Sequence, residues 1–214
     1  MSHFVAYDPA RLLVADDDPI LREFATVHLA TPEVEVEVAE DGVFALERLR
    51  QGGIDMALVD LEMPNMNGFE LIEHIRNDDV LKHLPIVVVT GREDMAAVDR
   101  AYALGATSFV VKPLNWRVLS HQLAYVLRNA RAEAGVRREL HSLQSMNEAS
   151  AELLRMCSTN LSRPANAIFE KAGTLCSSHE PHVRAMAGEI RDHASGLKVL
   201  QDNIGQAARL LAEG

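Results

Sequence analysis

The sequence predicts an α/β fold, a five-stranded parallel sheet wound on both faces, followed by a helical hairpin. Three observations carry this. Five short apolar runs alternate with helix-period segments up to about Asn115. Most of those runs end on a carboxylate, hydroxyl or ammonium side chain, as buried parallel strands do at a ligand-binding edge. Beyond Asn115 the strand signals stop and helical composition takes over.

The whole chain sets the bounds. It has 214 residues, 48% hydrophobic and 24% charged, enough for one large domain or two small ones with a real core. No apolar run nears the roughly 20 residues of a membrane span. The start, MSHFVAYDPARLL, lacks the basic end and apolar core of a signal peptide, so a cytoplasmic location is expected. Cys157 and Cys176 lie 19 positions apart in a helical pattern and read as reduced, small packing residues. Charge is unevenly shared: the net is −11 through Arg117 and +1 from Val118 onward. The acidic half argues against nucleic acid as a direct ligand, and the other half has no basic stripe.

Residues 1–10 form a polar lead-in. Leu12–Ala15 is the first strand, running into Asp16-Asp17-Asp18-Pro19. Asp18 suits a helix N-cap and Pro19 a first turn, and Ile20, Phe24 and Val27, with Leu21 beside them, then give an apolar stripe. Glu33–Val38 alternates strictly, the pattern of an edge strand with one wet face. Asp41-Gly42 reads as a turn, and a helix carrying Val43, Leu46 and Leu49 follows. Met56–Asp60 is a strand ending in a carboxylate, followed by a Pro/Asn/Gly segment and a helix through Phe69, Leu71, Ile72 and Ile75. Pro85 opens the strand Ile86–Thr90; Met95–Leu104 is helical with Gly105 as its cap; Ser108–Val111 is the fifth strand, ending at Lys112-Pro113.

A parallel sheet gathers the ends of its strands, so Asp16, Asp17, Asp60, Thr90 and Lys112 share one edge. Three carboxylates in one cleft repel unless a proton or a cation intervenes. Mg²⁺ suits a site of few carboxylates, waters and a phosphoryl group. Lys112 offers positive charge to a phosphoryl oxygen and Thr90 a hydroxyl donor. Asp60 is then the natural acceptor of a phosphoryl group, with transfer promoted by positioning and charge neutralisation. Taken singly, each of these residues is more often a cap, turn or surface charge, and Asp18 and Asp41 are read that way.

With Leu13–Pro19, Val59–Pro64, Val89-Thr90-Gly91 and Val111-Lys112-Pro113, residues 11–126 closely resemble the receiver domain of two-component response regulators. The resemblance implies a flavodoxin-like sheet and phosphorylation of Asp60 by a partner's phosphohistidine, the partner being a sensor histidine kinase or a histidine phosphotransferase. It implies Mg²⁺ held by Asp17, Asp60 and the backbone carbonyl of Glu62, with Asp16 acting largely through water. It also implies a switch pair, Thr90 and Phe109, although Phe109 equally suits a plain core aromatic. Glu62 and Arg92 resemble positions that tune phosphate lifetime.

Residues 127–214 are predicted to be helical, with Gly135 as a phase break and a loop at Ser177–Pro181. Val136, Leu140, Leu143, Asn147, Ser150, Leu154, Cys157 and Leu161 alternate four-and-three spacing. Val183, Met186, Ile190, His193, Leu197, Leu200, Ile204, Ala207 and Leu211 continue it, with His193 read as a packed core histidine. One stripe per helix leaves a lone hairpin short of cover, so two copies are expected to pair as a four-helix bundle. Cys157–Ile168 resembles the phosphoacceptor helix of histidine kinases, carried by Pro164, Asn166, Ala167 and Ile168. Thr159 stands where that family has its histidine, Asn160 replaces the adjacent acid, and Arg163 replaces a Thr or Asn. A threonine hydroxyl has no imidazole nitrogen for a phosphoramidate, and no ATP-binding domain is seen before Gly214. The expectation is therefore a response regulator, not an enzyme, whose helical half homodimerises or docks on another two-component protein. The rival reading is a phosphotransfer protein using another histidine (His141, His179, His182 or His193), or a fragment of a hybrid kinase.

Overall fold

In a computed structural model, which describes residues 9–91 and 95–213, the chain divides into two compact units, Met1–Ala134 and Gly135–Gly214. The first unit alternates β1 (Ala10–Ala15), α1 (Pro19–Leu29), β2 (Val34–Ala39), α2 (Gly42–Arg50), β3 (Met56–Asp60), α3 (Gly68–Asn77), β4 (Ile86–Thr90), α4 (Met95–Ala103) and β5 (Ser108–Val111). α5 (Trp116–Leu175) begins in this unit, and α6 (Pro181–Glu213) lies in the second. All strand pairs are parallel, in the order β2-β1-β3-β4-β5. The alternating strand β2 takes the edge, as its wet face requires, while β3 and β4 are buried along their whole length.

Each face of the sheet carries its own core. On one, Leu13, Val59, Val88 and Ile86 meet Leu46, Leu49, Leu71, Ile72 and Ile75 of α2 and α3. On the other, Leu12, Val14, Leu58 and Val87 meet Ala25 and Leu29 of α1 and Leu119, Leu123 and Leu127 of α5. The register aligns the carboxyl ends of the strands, with Ala15 beside Val59, Asp60 beside Val89 and Thr90 beside Val111. That alignment positions the site.

Several local expectations need correction. Ile20, Phe24 and Val27 face outward, and α1 instead buries Ala25 and Leu29 with Leu21 beside them. Small alanine lets the helix lie close to the sheet, which the bulkier stripe would hold off. Phe24 instead stacks with His28 and Trp116, ring centroids 5.8 and 6.4 Å away. Asp41 is more than a turn residue: it is buried and caps α2, accepting from the Phe44 amide at 2.9 Å and from Asn65 Nδ2 at 2.6 Å.

Gly135 breaks nothing, since α5 continues for 60 residues through both Gly135 and Pro164. In the second unit the two helices do not meet along the stripes that the spacing selects. They meet along the neighbouring small-residue line, where Ala151, Ala165, Ala172, Ala187, Ala194 and Ala208 are buried. Ser158 and Gln201 join across it, with Ser158 Oγ donating to the Gln201 carbonyl at 3.4 Å and Gln201 Nε2 donating to Ser162 Oγ. His193 is exposed rather than packed, with Nδ1 at 2.7 Å from the Glu189 carbonyl, and Cys157 is exposed too.

Candidate functional site

β1 ends at Ala15, so the next two residues, Asp16 and Asp17, sit at the rim, and β3 delivers Asp60 beside them. One carboxylate oxygen from each of the three lies within 4.8 Å of the others. Asp16 and Asp60 are buried, whereas Asp17 is exposed. The β5–α5 connection brings Lys112 across, with Nζ 2.5 Å from Asp60 Oδ2 and 3.1 Å from Asp16 Oδ2. Its backbone amide donates to the Thr90 carbonyl at 2.8 Å, which ties the lysine to the end of β4.

The electrostatics follow from burial. Burial raises the Asp16 pKa above its usual value and Asp60's charge adds to this, while the Asp18 amide and Lys112 act in the opposite direction without cancelling it. Burial alone would lower the Lys112 pKa. Hydrogen bonds and charge from Asp60 and Asp16 outweigh it, so the ammonium is held more firmly than usual. Two buried carboxylates thus share one buried-side cation, and the third carboxylate faces solvent. The set is all oxygen, carries more negative than positive charge, and fits a hard divalent cation such as Mg²⁺. Asp16, Asp17 and Asp60 are the side chains that would hold it.

The other expected residues fall nearby. Thr90 is buried at the last position of β4. Phe109 lies on β5 opposite Val88, half-buried, its ring meeting Tyr102 edge-on at 6.0 Å. Glu62 is exposed, and its amide lies 3.4 Å from Asp60 Oδ1. Arg92 lies outside the described residues.

Three supports escape the sequence reading. Arg22 reaches back from α1 to donate to the Asp16 and Asp17 carbonyls at 2.7 and 2.9 Å, fixing the acidic loop. The Asp41–Asn65 bond and the Gly42 amide to Met66 carbonyl bond, 3.1 Å, pin the segment that follows Asp60. Gly68 packs its backbone on Asp60 itself: a Cβ there would lie 2.3 Å from the Asp60 carbonyl oxygen. The only sequence signal for these was the Asn/Gly-rich composition after Asp60.

A parallel sheet with a carboxylate triad and a lysine at its carboxyl edge defines a class of signal-receiving α/β modules. Residues 12–124 match the model of the response regulator receiver domain, and the chain belongs to that family. It is 28% identical over 141 residues to the heme response regulator HssR of Staphylococcus epidermidis, and 29% identical to that of Staphylococcus aureus. Each alignment covers 66% of this chain and 61% of the relative, so the chain spans less than two thirds of their length. Among solved structures, chemotaxis protein CheY4 of Vibrio cholerae is 32% identical with a TM-score of 0.53, covering 55% of this chain and 98% of that one. A putative response regulator from Chloroflexus aurantiacus is 27% identical with a TM-score of 0.54, covering 56% and 99%. The family match ends at residue 124 and leaves the hairpin outside it. No described helix is long and apolar enough to cross a membrane.

Proposed function

We propose that this chain is a two-component response regulator phosphorylated on Asp60, whose helical half carries the output by binding protein. The observation that carries the reading is the seating of Asp60, buried, 2.5 Å from Lys112 and within 4.8 Å of Asp16 and Asp17. The donor is the phosphohistidine of a sensor kinase or histidine phosphotransferase. An Asp60 carboxylate oxygen attacks phosphorus, the P–N bond breaks, and its electron pair leaves with the imidazole. Mg²⁺, when bound, supplies positive charge to the phosphoryl oxygens. Asp17, Asp60 and the Glu62 carbonyl would hold it, with Asp16 acting largely through water. Lys112 exchanges its bond to Asp60 for one to a phosphoryl oxygen. Thr90 donates its hydroxyl to another, and Phe109 responds to that movement from the next strand.

The chain acts as a signalling protein of the cytoplasm and not as an enzyme turning over an external substrate. Thr159, at the place of the kinase family's histidine, is exposed, and its hydroxyl donates to the Arg155 carbonyl at 2.9 Å. Self-association as a four-helix bundle and docking on another two-component protein are both output routes of this kind. Incubation with Mg²⁺ and acetyl phosphate, followed by intact-mass measurement, tests the assignment. One phosphoryl group is expected on the native chain and none on Asp60→Asn; labelling that persists in the variant overturns it.

A further inference from the structure

The loop between β1 and α1, residues 16–18, carries two of the three clustered carboxylates, and they are held in different ways. Asp16 is fixed through its side chain: Oδ1 accepts from the Asp18 amide at 2.9 Å and Oδ2 from Lys112 at 3.1 Å. Asp17 is exposed, and among the described residues no hydrogen bond or ion pair holds its carboxylate. Its placement therefore depends on its backbone.

That backbone is tied by Arg22. Side chains of a helix lean toward its N-terminus, so a long residue four positions after the Asp18 N-cap can reach the loop in front of the helix. The guanidinium does so with a single nitrogen. Nη1 carries two hydrogens, one donated to the Asp16 carbonyl at 2.7 Å and one to the Asp17 carbonyl at 2.9 Å. Those carbonyls belong to the two peptide groups that flank the Asp17 Cα. Each peptide is a rigid plane, so holding both fixes the two soft dihedrals of Asp17 and with them the direction of its Cβ. The result is an Asp17 oxygen within 4.8 Å of oxygens on Asp16 and Asp60.

We propose that Arg22 is a positioning residue for the divalent cation: it sets the Asp17 backbone, and so the aim of the Asp17 carboxylate, without touching the ion. The inference rests on the Mg²⁺-dependent phosphorylation proposed above and adds a residue to it. One guanidinium here has two opposed effects. Its charge repels a second cation, so by charge alone its removal would tighten Mg²⁺ binding. Its hydrogen bonds order a ligand that would otherwise have to be ordered on binding, so by geometry its removal weakens binding. Arg22 is only half-buried, and solvent and salt screen its charge. Asp17 has no side-chain tether among the described residues to take over the ordering. Geometry outweighs charge.

Calorimetric titration of the unphosphorylated full chain with Mg²⁺ reads that sign. Arg22→Met keeps much of the side chain's length and its helix propensity but neither donor nor charge. Its Mg²⁺ dissociation constant is expected to rise about 10-fold, with native far-UV circular dichroism. An unchanged or lower constant overturns the proposal, and so does a variant that does not fold, which would leave Arg22 a purely structural role. Arg22→Lys restores a charged donor on a shorter stem and is expected to recover part of the affinity. A lysine variant that binds Mg²⁺ more weakly than the methionine variant overturns the proposal too. Acetyl phosphate labelling separates positioning from chemistry. At saturating Mg²⁺ Arg22→Met is expected to label Asp60 at close to the native rate, because the bound ion then orders Asp17 itself; a rate that stays depressed at saturation overturns the proposal. A native chain that neither binds Mg²⁺ nor takes label on Asp60 would count against the receiver reading as a whole. A native chain that does both, beside an Arg22→Met chain that binds as tightly, counts against Arg22 alone.

Discussion

Lys112 Nζ sits 2.5 Å from Asp60 Oδ2, and the same ammonium reaches Asp16 at 3.1 Å. One cation therefore bridges two buried carboxylates that strands 44 residues apart in sequence bring to the same edge. Its two roles separate on removal. Lys112→Ala deletes the charge offered to a phosphoryl oxygen and is expected to slow acetyl phosphate labelling of Asp60 by about 10²–10³-fold. Lys112→Arg, which keeps the charge but not its compact geometry, is expected to fall between. Labelling of Lys112→Ala at the native rate would remove the lysine from the transfer step.

Asp16 gives a pH dependence whose sign can be worked out. Burial holds its folded pKa above the unfolded value, so its stabilising contribution is complete below the ordinary carboxylate range and is lost as pH rises through the raised folded pKa. At neutral pH its charge is therefore a cost to the metal-free protein. A divalent cation relieves that cost, and Mg²⁺ is expected to raise the melting temperature more at about pH 7.5 than at about pH 5. Asp16→Asn is expected to melt higher than the native chain without Mg²⁺ and to respond less when it is added. Equal Mg²⁺ shifts at the two pH values would place the cation elsewhere.

Asp41 works in the other direction. Burial disfavours its charge, but the Phe44 and Val43 amides and Asn65 more than compensate and lower its pKa. Its contribution is present above the ordinary carboxylate range and lost as pH falls through the depressed folded value. Asp41→Ala is expected to lose about 1–2 kcal/mol at neutral pH through the missing cap, with the gap to the native chain closing below about pH 4. Urea unfolding at the two pH values measures both.

The strands were legible because buried parallel strands are continuous apolar runs, and the residue ending each run named the site. Which helical stripe is buried was not legible where two stripes compete. On α1 the periodicity selects Ile20, Phe24 and Val27, yet Ala25 and Leu29 face the sheet. In the hairpin it selects the large aliphatics, yet alanines form the contact. Hydrophobicity ranks the bulky stripe first, while close approach of backbone to backbone favours the small one. The supports of Asp60 were hidden for a different reason: Arg22 and Gly68 meet backbone atoms, and Asn65 the Asp41 carboxylate, that come near only in the folded chain.

Gly68 supplies the sharpest test of that last point. Its amide donates to the Leu61 carbonyl at 3.0 Å, and a Cβ on it would lie 2.3 Å from the Asp60 carbonyl oxygen and 2.8 Å from Leu61 Cα. Both obstacles are backbone, so no side-chain rotation relieves them, and α3 or the end of β3 must shift. Gly68→Ala is expected to cost about 1–3 kcal/mol, as overpacking does, and to slow labelling of Asp60 because the displaced backbone carries its carboxylate. Gly91→Ala, where a Cβ would meet nothing among the described residues within 4 Å, is the matched control and is expected to stay within about 0.5 kcal/mol of native. Thermal melts and acetyl phosphate labelling of the two variants check this together. A Gly68→Ala chain that melts and labels like Gly91→Ala would show that the close approach does not position Asp60.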